Sequence, residues 1–456
     1  MKDIKVKDVL EATNGELLNG DSYIENLTLS DVCIDSRLMK KEDIFIPIKG
    51  EKVDAHKFIP DVMKKGSATF TEEEITEFED GKAYIKVDST IKALQDLGSY
   101  VRDKYNKPVI GVTGSVGKTT TREMITTALS SAKEVFHTEG NFNSEIGLPI
   151  TTSRMLDKDS DIAVLEMGIS APNEMDILSS IAKPDIAVVT MIGVAHIEFL
   201  KSKKGIRDEK IKICKNMNKD GVLFLNGDDP LLAEMREKTG VKTFFYGTGA
   251  DADYRAEDIK VEDGNYAYTF VHGNLRMKVK IPVLGKHNVL NSLVAMAICD
   301  HLGMDLSAAE KALEDFHGLR QNVLKTEKGY TVIDDTYNAS PDSMKAAIDV
   351  VSNYKCNGKK YIVLGDMFEL GVNEVAFHET VGEYFKEKDI DELITLGQLS
   401  LNIEKKAREV SGIKTVHTAK LDEVTEYLKS VLKKDDVVLL KASNGMHLTE
   451  VVKDIV

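Results

Sequence analysis

Short, nearly unbroken apolar runs alternate with helical stretches along most of this chain. The runs within 160–168, 185–193, 221–226 and 241–246 show no polar alternation, which marks strands covered on both faces of a parallel sheet. Pro108-Val109-Ile110 is a further apolar strand, reached through a helix that begins near Thr90. Residues 253–284 switch to period-two alternation with turn signals at Gly264 and Gly273, so a few antiparallel strands are expected to extend that sheet. A helix pair follows over 287–316. Beyond His317-Gly318-Leu319 the alternation restarts, with strands at 330–334, 360–365, 392–396 and 437–441, each followed by helical composition. The first 86 residues read as a small mixed unit, with a helix at 6–13 and short strands near 31–35, 43–49 and 83–87. The pattern predicts an α/β protein of three units: a small mixed one over 1–86, a central parallel sheet over 87–318 and a second doubly wound sheet over 319–456. The cleft between the two sheets is the expected active site, because open parallel sheets bind ligands at the carboxyl ends of their strands.

The strand at 108–110 runs into Gly111-Val112-Thr113-Gly114-Ser115-Val116-Gly117-Lys118-Thr119-Thr120, and 120–129 then has helical composition. Glycines between a strand and a helix let backbone N–H groups turn toward a polyphosphate. Lys118 is placed to neutralise the β and γ phosphates, and the Thr119 hydroxyl to hold Mg²⁺. A strict Walker pattern has glycine where this chain has Val112, but the T-G-x-x-G-K-T-T core remains. Gly114, Ser115, Gly117, Lys118, Thr119 and Thr120 are therefore the candidate nucleotide-binding residues, and the central unit is expected to be a P-loop ATPase-type sheet.

At 456 residues, 42% of them hydrophobic, the chain can support more than one core. Its net charge of −15 argues against general affinity for nucleic acid or anionic membrane, so phosphate binding has to be local. Residues 1–10 lack an apolar signal-peptide core, and no stretch approaches 18 consecutive apolar residues; a cytoplasmic protein without membrane insertion is expected. Cys33, Cys214, Cys299 and Cys356 lie far apart with no C-x-x-C pair, which suits reduced, mostly buried thiols.

Polar residues at strand ends carry further chemistry. Glu166 ends one apolar run, and His196 follows another with only Val194-Ala195 between. A carboxylate and an imidazole at neighbouring strand ends suit a cation near Thr119, although Mg²⁺ prefers oxygen and either residue alone is usually a solvated loop residue. Lys210 lies in an amphipathic helix, where lysines ordinarily face solvent; the alternative is that it turns inward and becomes N-carboxylated, replacing a cation with a metal-binding anion. Gly140-Asn141-Phe142-Asn143-Ser144-Glu145 reads as a loop and cap, and its amide and hydroxyl groups also suit a sugar-phosphate ligand. Asn288 and Asn291 stand one helical turn apart, placed to meet an adenine together. Asp334-Asp335-Thr336-Tyr337-Asn338-Ala339-Ser340-Pro341 puts two carboxylates at the cleft edge ahead of a helix.

Taken together, these segments resemble the Mur ligase family along essentially the whole chain. T-G-S-V-G-K-T-T at 113–120, G-N-F-N-S-E-I-G-L-P at 140–149, E-M-G at 166–168, A-H-I-E at 195–198, G-K-H-N-x-x-N at 285–291 and D-D-T-Y-N-A-S-P at 334–341 occur in the family's order. The last motif, with Asp35-Ser36-Arg37 and Phe45-Ile46-Pro47-Ile48-Lys49-Gly50, resembles the member that adds D-alanyl-D-alanine. The resemblance implies a UDP-binding first unit, a central ATPase and a Rossmann-like last unit. It implies a monomer whose substrates are ATP, a UDP-N-acetylmuramoyl peptide and D-alanyl-D-alanine, in peptidoglycan precursor synthesis. ATP converts the peptide's terminal carboxylate to an acyl phosphate, and the incoming amine displaces phosphate. Lys118, Glu166, His196 and Lys210 match the catalytic set, with Thr119 and Glu166 at one Mg²⁺ and His196 and a carboxylated Lys210 at a second. Asn288, Asn291, Arg320 and Asp335 match nucleotide contacts. Ser36 and Arg37 fall near the uridine, Asn143 near the muramoyl peptide, and Tyr337, Asn338 and Ser340 near the incoming dipeptide.

The chain departs from the family pattern twice: Lys441-Ala442-Ser443-Asn444 replaces K-G-S-R, and Gly318-Leu319-Arg320 replaces P-G-R. The loss of an arginine removes a bidentate carboxylate donor, which keeps a sibling ligase with a different amine as an alternative. A non-catalytic nucleotide-binding relative is a third reading, opposed by the intact set of Lys118, Glu166, His196 and Lys210. A switch GTPase is weakest, since its N-K-x-D signature is missing from the usual place.

Overall fold

The computed structural model describes residues 1–20, 22–262, 265–316 and 322–456. Near the N-terminus, Ile4–Lys5 pairs antiparallel with Thr28–Leu29. A five-stranded sheet follows in the order Glu16–Leu17, Ala83–Lys86, Ala68–Thr71, Ile44–Phe45, Val32–Cys33. Its core is covered by the Thr90–Lys104 helix, whose Ala93, Leu94, Leu97 and Val101 point into the same cluster as Phe70 and Ile85. Ala68–Thr71 is absent from the apolar pattern because two of its four residues are threonines. Both hydroxyls are satisfied by backbone carbonyls, at 2.8 Å from Phe70 O and 3.0 Å from Glu73 O, which is what allows them to be buried.

The second sheet has nine strands. Six run parallel, in the order Lys242–Gly247, Val222–Asn226, Ile186–Val189, Val109–Thr113, Ile162–Glu166, Val135–His137. Tyr254–Glu262 joins Lys242–Gly247 in parallel, and Asn265–His272 and Leu275–Ile281 add to it antiparallel, as the change of period predicts. The Lys118–Leu129 and His287–His301 helices cover one face and Glu174–Ala182 the other, giving two separate cores.

The third sheet has the order Asn322–Lys325, Thr331–Asp334, Val437–Lys441, Lys360–Gly365, Glu392–Leu396, Lys414–Thr418, parallel except for its first pair. Lys414–Thr418 escapes detection in sequence because an edge strand is wetted on one side; four of its five residues are exposed or half-buried. Val194 is buried in the hydrophobic cluster of this last sheet, with Ile197 and Leu284 packed against it. The loop that leaves the central sheet after Ile186–Val189 is thus part of the seam that joins the two sheets. The four cysteines are free thiols, two of them buried. No helix among the described residues is long and apolar enough to cross a membrane.

Candidate active site

Val109–Thr113 lies between Ile186–Val189 and Ile162–Glu166, in a register that pairs Glu166 with Val112 and Val189 with Thr113. The phosphate loop, the Glu166 carboxylate and Thr190 therefore leave the sheet at one level. The loop is held open by backbone geometry that favours glycine: φ is +151° at Gly114 and +87° at Gly117. A Cβ on Gly114 would overlap the Thr190 hydroxyl. Ser115 N–H donates to Met191 O at 2.8 Å and Thr190 Oγ1 to Val116 O at 2.6 Å, fixing the loop to the neighbouring strand end. Lys118 opens the following helix and its Nζ donates to Gly114 O at 2.8 Å. No side chain caps this helix, and a helix N-terminus is the end that favours an anion.

Glu166 is 2% exposed. Its Oε1 accepts from Asn143 Nδ2 at 2.7 Å and from the Thr119 hydroxyl at 3.3 Å. Its Oε2 is buried with no hydrogen-bond partner, 3.4 Å from the fully buried Arg122 guanidinium. Arg122 offsets its charge, and the missing hydrogen bond leaves a lone pair of that oxygen for a further ligand. Hard oxygen donors beside a phosphate loop fit Mg²⁺, which takes one or two carboxylates and fills its shell with phosphate and water oxygens. Among the described residues no group of three or more His, Cys, Asp or Glu side chains is placed to hold a metal.

Lys210 is turned inward. Ile206 and Lys210 lie four residues apart on the face that Ile213 continues, and Lys210 is 2% exposed. Burial pushes its ammonium well below the usual lysine range, and the nearby Lys118 charge pushes the same way against the weaker pull of Glu209 and Glu174. His196 adopts a left-handed backbone (φ +61°), and its Nδ1 meets the carboxylate of Glu369, which comes from the last sheet. That contact holds the Glu369 carboxyl below its usual range.

Asn288 and Asn291 are joined to each other, Asn291 Nδ2 donating to Asn288 Oδ1 at 2.8 Å. Thr121 Oγ1 donates to Asn291 Oδ1 at 3.0 Å, so the pair braces the phosphate-loop helix. Across the cleft, Lys441 is 3% exposed, lies 2.9 Å from Asp335 Oδ2 and donates to Asn338 O at 2.8 Å. Ser340 caps the Pro341–Asn353 helix.

A cavity of about 590 Å³ gathers most of the candidates: Ser115, Gly117, Lys118, Thr119, Thr120, Asn143, Glu166, His196, Asn288 and Asn291 on one wall, and Asp335, Tyr337, Asn338 and Ser340 on the other. A second cavity of about 290 Å³ shares His196 and the 337–340 segment, then continues to Phe368, Glu369, Ser443 and Asn444. Gly114 and Lys210 support the first wall without lining it. Ser36 and Arg37 line neither cavity; Arg37 is exposed and ion-paired with Asp35 at 2.6 Å. Arg320 and the 318/319 boundary lie outside the described residues.

Arg122, Lys441 and Glu369 were not singled out by sequence. Arg122 lies in the Lys118–Leu129 helix and is fully buried with Glu123 and Glu166 as ion partners. At the departure 441–444, the Ala442 methyl packs into space that Gly365 leaves; a Cβ on Gly365 would sit 2.7 Å from it.

Residues 112–299 match the family model "Mur ligase middle domain", and residues 319–444 match "Mur ligase, glutamate ligase domain". A UDP-N-acetylmuramoyl-tripeptide–D-alanyl-D-alanine ligase of Bacillus subtilis is 38% identical over 99% of this chain and 98% of the relative. One from Escherichia coli is 29% identical over 96% of both chains. A crystal structure of MurF from Acinetobacter baumannii superposes with a TM-score of 0.88 at 28% identity, covering 99% of this chain and 98% of its own. The MurF ligase of Thermotoga maritima, solved in complex with ADP, gives 0.82 at 28% identity over 94% and 97%. With full-length identity of this order added to a phosphate loop facing a second α/β edge, the chain belongs to the Mur ligase family.

Proposed function

We propose that this protein joins D-alanyl-D-alanine to UDP-N-acetylmuramoyl-tripeptide with cleavage of ATP to ADP and phosphate, a step of peptidoglycan precursor synthesis. The observation that carries the reading is the shared cavity, in which a phosphate loop and an incompletely partnered Glu166 face the 335–340 edge of the last sheet. A carboxylate is a poor electrophile at neutral pH. Transfer of the γ-phosphoryl group to a carboxylate oxygen gives an acyl phosphate; attack of the amine on the carbonyl then forms the amide and expels phosphate, with loss of the amine's proton. Lys118 and the uncapped helix N-terminus hold the phosphates in line and stabilise the charge that develops. Asn143 and the Asn288–Asn291 pair keep Glu166 and the loop in register. Thr119 and Glu166 would hold Mg²⁺, which would supply charge neutralisation at the phosphates.

In this reading residues 1–86 take the UDP moiety at Ser36 and Arg37, residues 87–318 take ATP, and residues 319–456 take the amine at Tyr337, Asn338 and Ser340. Arg320 and Asp335 serve the nucleotide, and Asn143 also approaches the muramoyl peptide. Lys210 is N-carboxylated: its amine, whose charged form burial disfavours, adds to carbon dioxide and releases a proton, and the carbamate with His196 would hold a second Mg²⁺. The protein works as a cytoplasmic monomer. The test is phosphate release from ATP with UDP-N-acetylmuramoyl-tripeptide, with and without D-alanyl-D-alanine. Release that needs both, with product mass raised by the dipeptide less water, is expected. Release only with another amine would move the substrate and point to Ala442 and Asn444, and no release with any pair would refute the ligase reading.

A further inference from the structure

His196 and Glu369 are 173 positions apart and follow strands of different sheets, yet Nδ1 of the one meets the carboxylate of the other beside the second cavity, whose wall His196 shares with the first. Both hold left-handed backbones, φ +61° in each case, a conformation that costs energy for a residue with a Cβ. The strain persists because the surroundings fix it. Leu370, next to Glu369, is 2% exposed in the cluster that also takes Val194, two residues before His196. Gly371 passes so close to Glu198 that a Cβ there would lie 3.3 Å from Glu198 Cα. With Nδ1 turned to the carboxylate, His196 Nε2 makes no hydrogen bond to any described residue. A carboxylate on one nitrogen of an imidazole fixes its tautomer and leaves the other nitrogen's lone pair for a metal.

We infer that Glu369 is the positioning residue through which docking of the last sheet completes the reaction site: it presents His196 with the proton on Nδ1 and the lone pair of Nε2 directed away from Glu369, ready for a divalent cation. The inference rests on the assignment of His196 to a metal in the proposed reaction. It adds that this ligand is competent only when the two sheets are docked, because its orienting partner belongs to the other one. The carboxylate acts through His196 and does not itself bind the amine.

The experiment compares Glu369→Ala and Glu369→Gln with the unaltered protein. Mn²⁺ binding is read by electron paramagnetic resonance in the presence of a non-hydrolysable ATP analogue, together with imidazole ¹⁵N shifts and kcat and KM for each substrate. Glu369→Ala should weaken Mn²⁺ binding about 10- to 100-fold and lower kcat comparably, with KM for the dipeptide within twofold. The His196 signal should shift toward a mixture of tautomers. Glu369→Gln, whose carbonyl still accepts from Nδ1–H, should recover most of the loss. A raised dipeptide KM with unchanged Mn²⁺ affinity would overturn the inference and make Glu369 an amine contact; unchanged values throughout would make the pair incidental. Should the unaltered protein lack ligase activity, the metal and ¹⁵N readings still decide the role of Glu369 while the proposed reaction alone falls.

Discussion

Two sheets of one architecture meet across the cleft, and they treat buried charge in opposite ways. On the central edge Glu166 keeps a carboxylate oxygen with no donor, and Lys210 sits buried beside the Lys118 charge. On the facing edge the buried Lys441 is fully engaged, with Asp335 and Asn338 O. The difference separates two tasks. Buried polar groups that the protein leaves without a hydrogen bond are a cost in the free molecule that ligands offset on binding, whereas groups bonded internally are part of the fold whether or not substrate is present.

Four substitutions or conditions sharpen or break that contrast. Lys118→Ala removes a charge meant for a ligand, so phosphate release should fall at least about a thousandfold while the urea midpoint barely moves; retained turnover would remove the loop from the mechanism. Lys441→Met breaks an internal pair and strands Asp335, and should cost about 3–5 kcal/mol in urea unfolding. A loss comparable to a surface mutation would mean that the two edges do not differ. The same replacement at Lys210 should behave in the opposite sense in carbonate-depleted buffer: no loss of stability, or a gain of up to about 2 kcal/mol, because a buried amine whose charged form burial disfavours gives way to an apolar side chain. Turnover should nonetheless be lost, and short carboxylates added to Lys210→Ala should restore part of it.

The smallest effect is a pH response of the last sheet. His378 Nε2 accepts from Met367 N–H at 3.0 Å and Nδ1 donates to Glu374 O at 2.7 Å, so the ring is neutral in the fold, and burial pushes its pKa below the ordinary value. The unfolded chain binds that proton below about pH 6.5 and the folded chain does not, so stability from this group is complete above pH 6.5 and is lost as pH falls toward the lowered value. The slope of unfolding free energy between pH 5 and 6.5 should shrink in His378→Gln; an unchanged slope would assign the acid response elsewhere.

How much of this was visible beforehand depended on whether the chemistry was local. The strands at 360–365, 392–396 and 437–441 are found as expected, since burial on both faces forces an unbroken apolar run. The phosphate loop is readable because glycines, Lys118 and Thr119 must stand in fixed order within a few residues. The direction of Lys210 is not legible in sequence: its spacing from Ile206 puts it on the apolar stripe, but that helix is polar enough for either face to go outward. Arg122 and Glu369 carry no such signal and Lys441 only its place in the 441–444 motif, because each takes its meaning from a partner 44, 173 and 106 positions away, respectively. Only the register of the sheets and their docking bring those partners together.

The central claim is that the cleft activates a carboxylate as an acyl phosphate before an amine attacks it. The direct measurement uses UDP-N-acetylmuramoyl-tripeptide with ¹⁸O in the terminal carboxylate, turned over with ATP and D-alanyl-D-alanine, and reads the mass of the released phosphate. Transfer of one ¹⁸O per turnover into phosphate is the predicted result, since the bridging oxygen leaves with phosphorus. Phosphate without label, formed alongside amide product, would contradict the account.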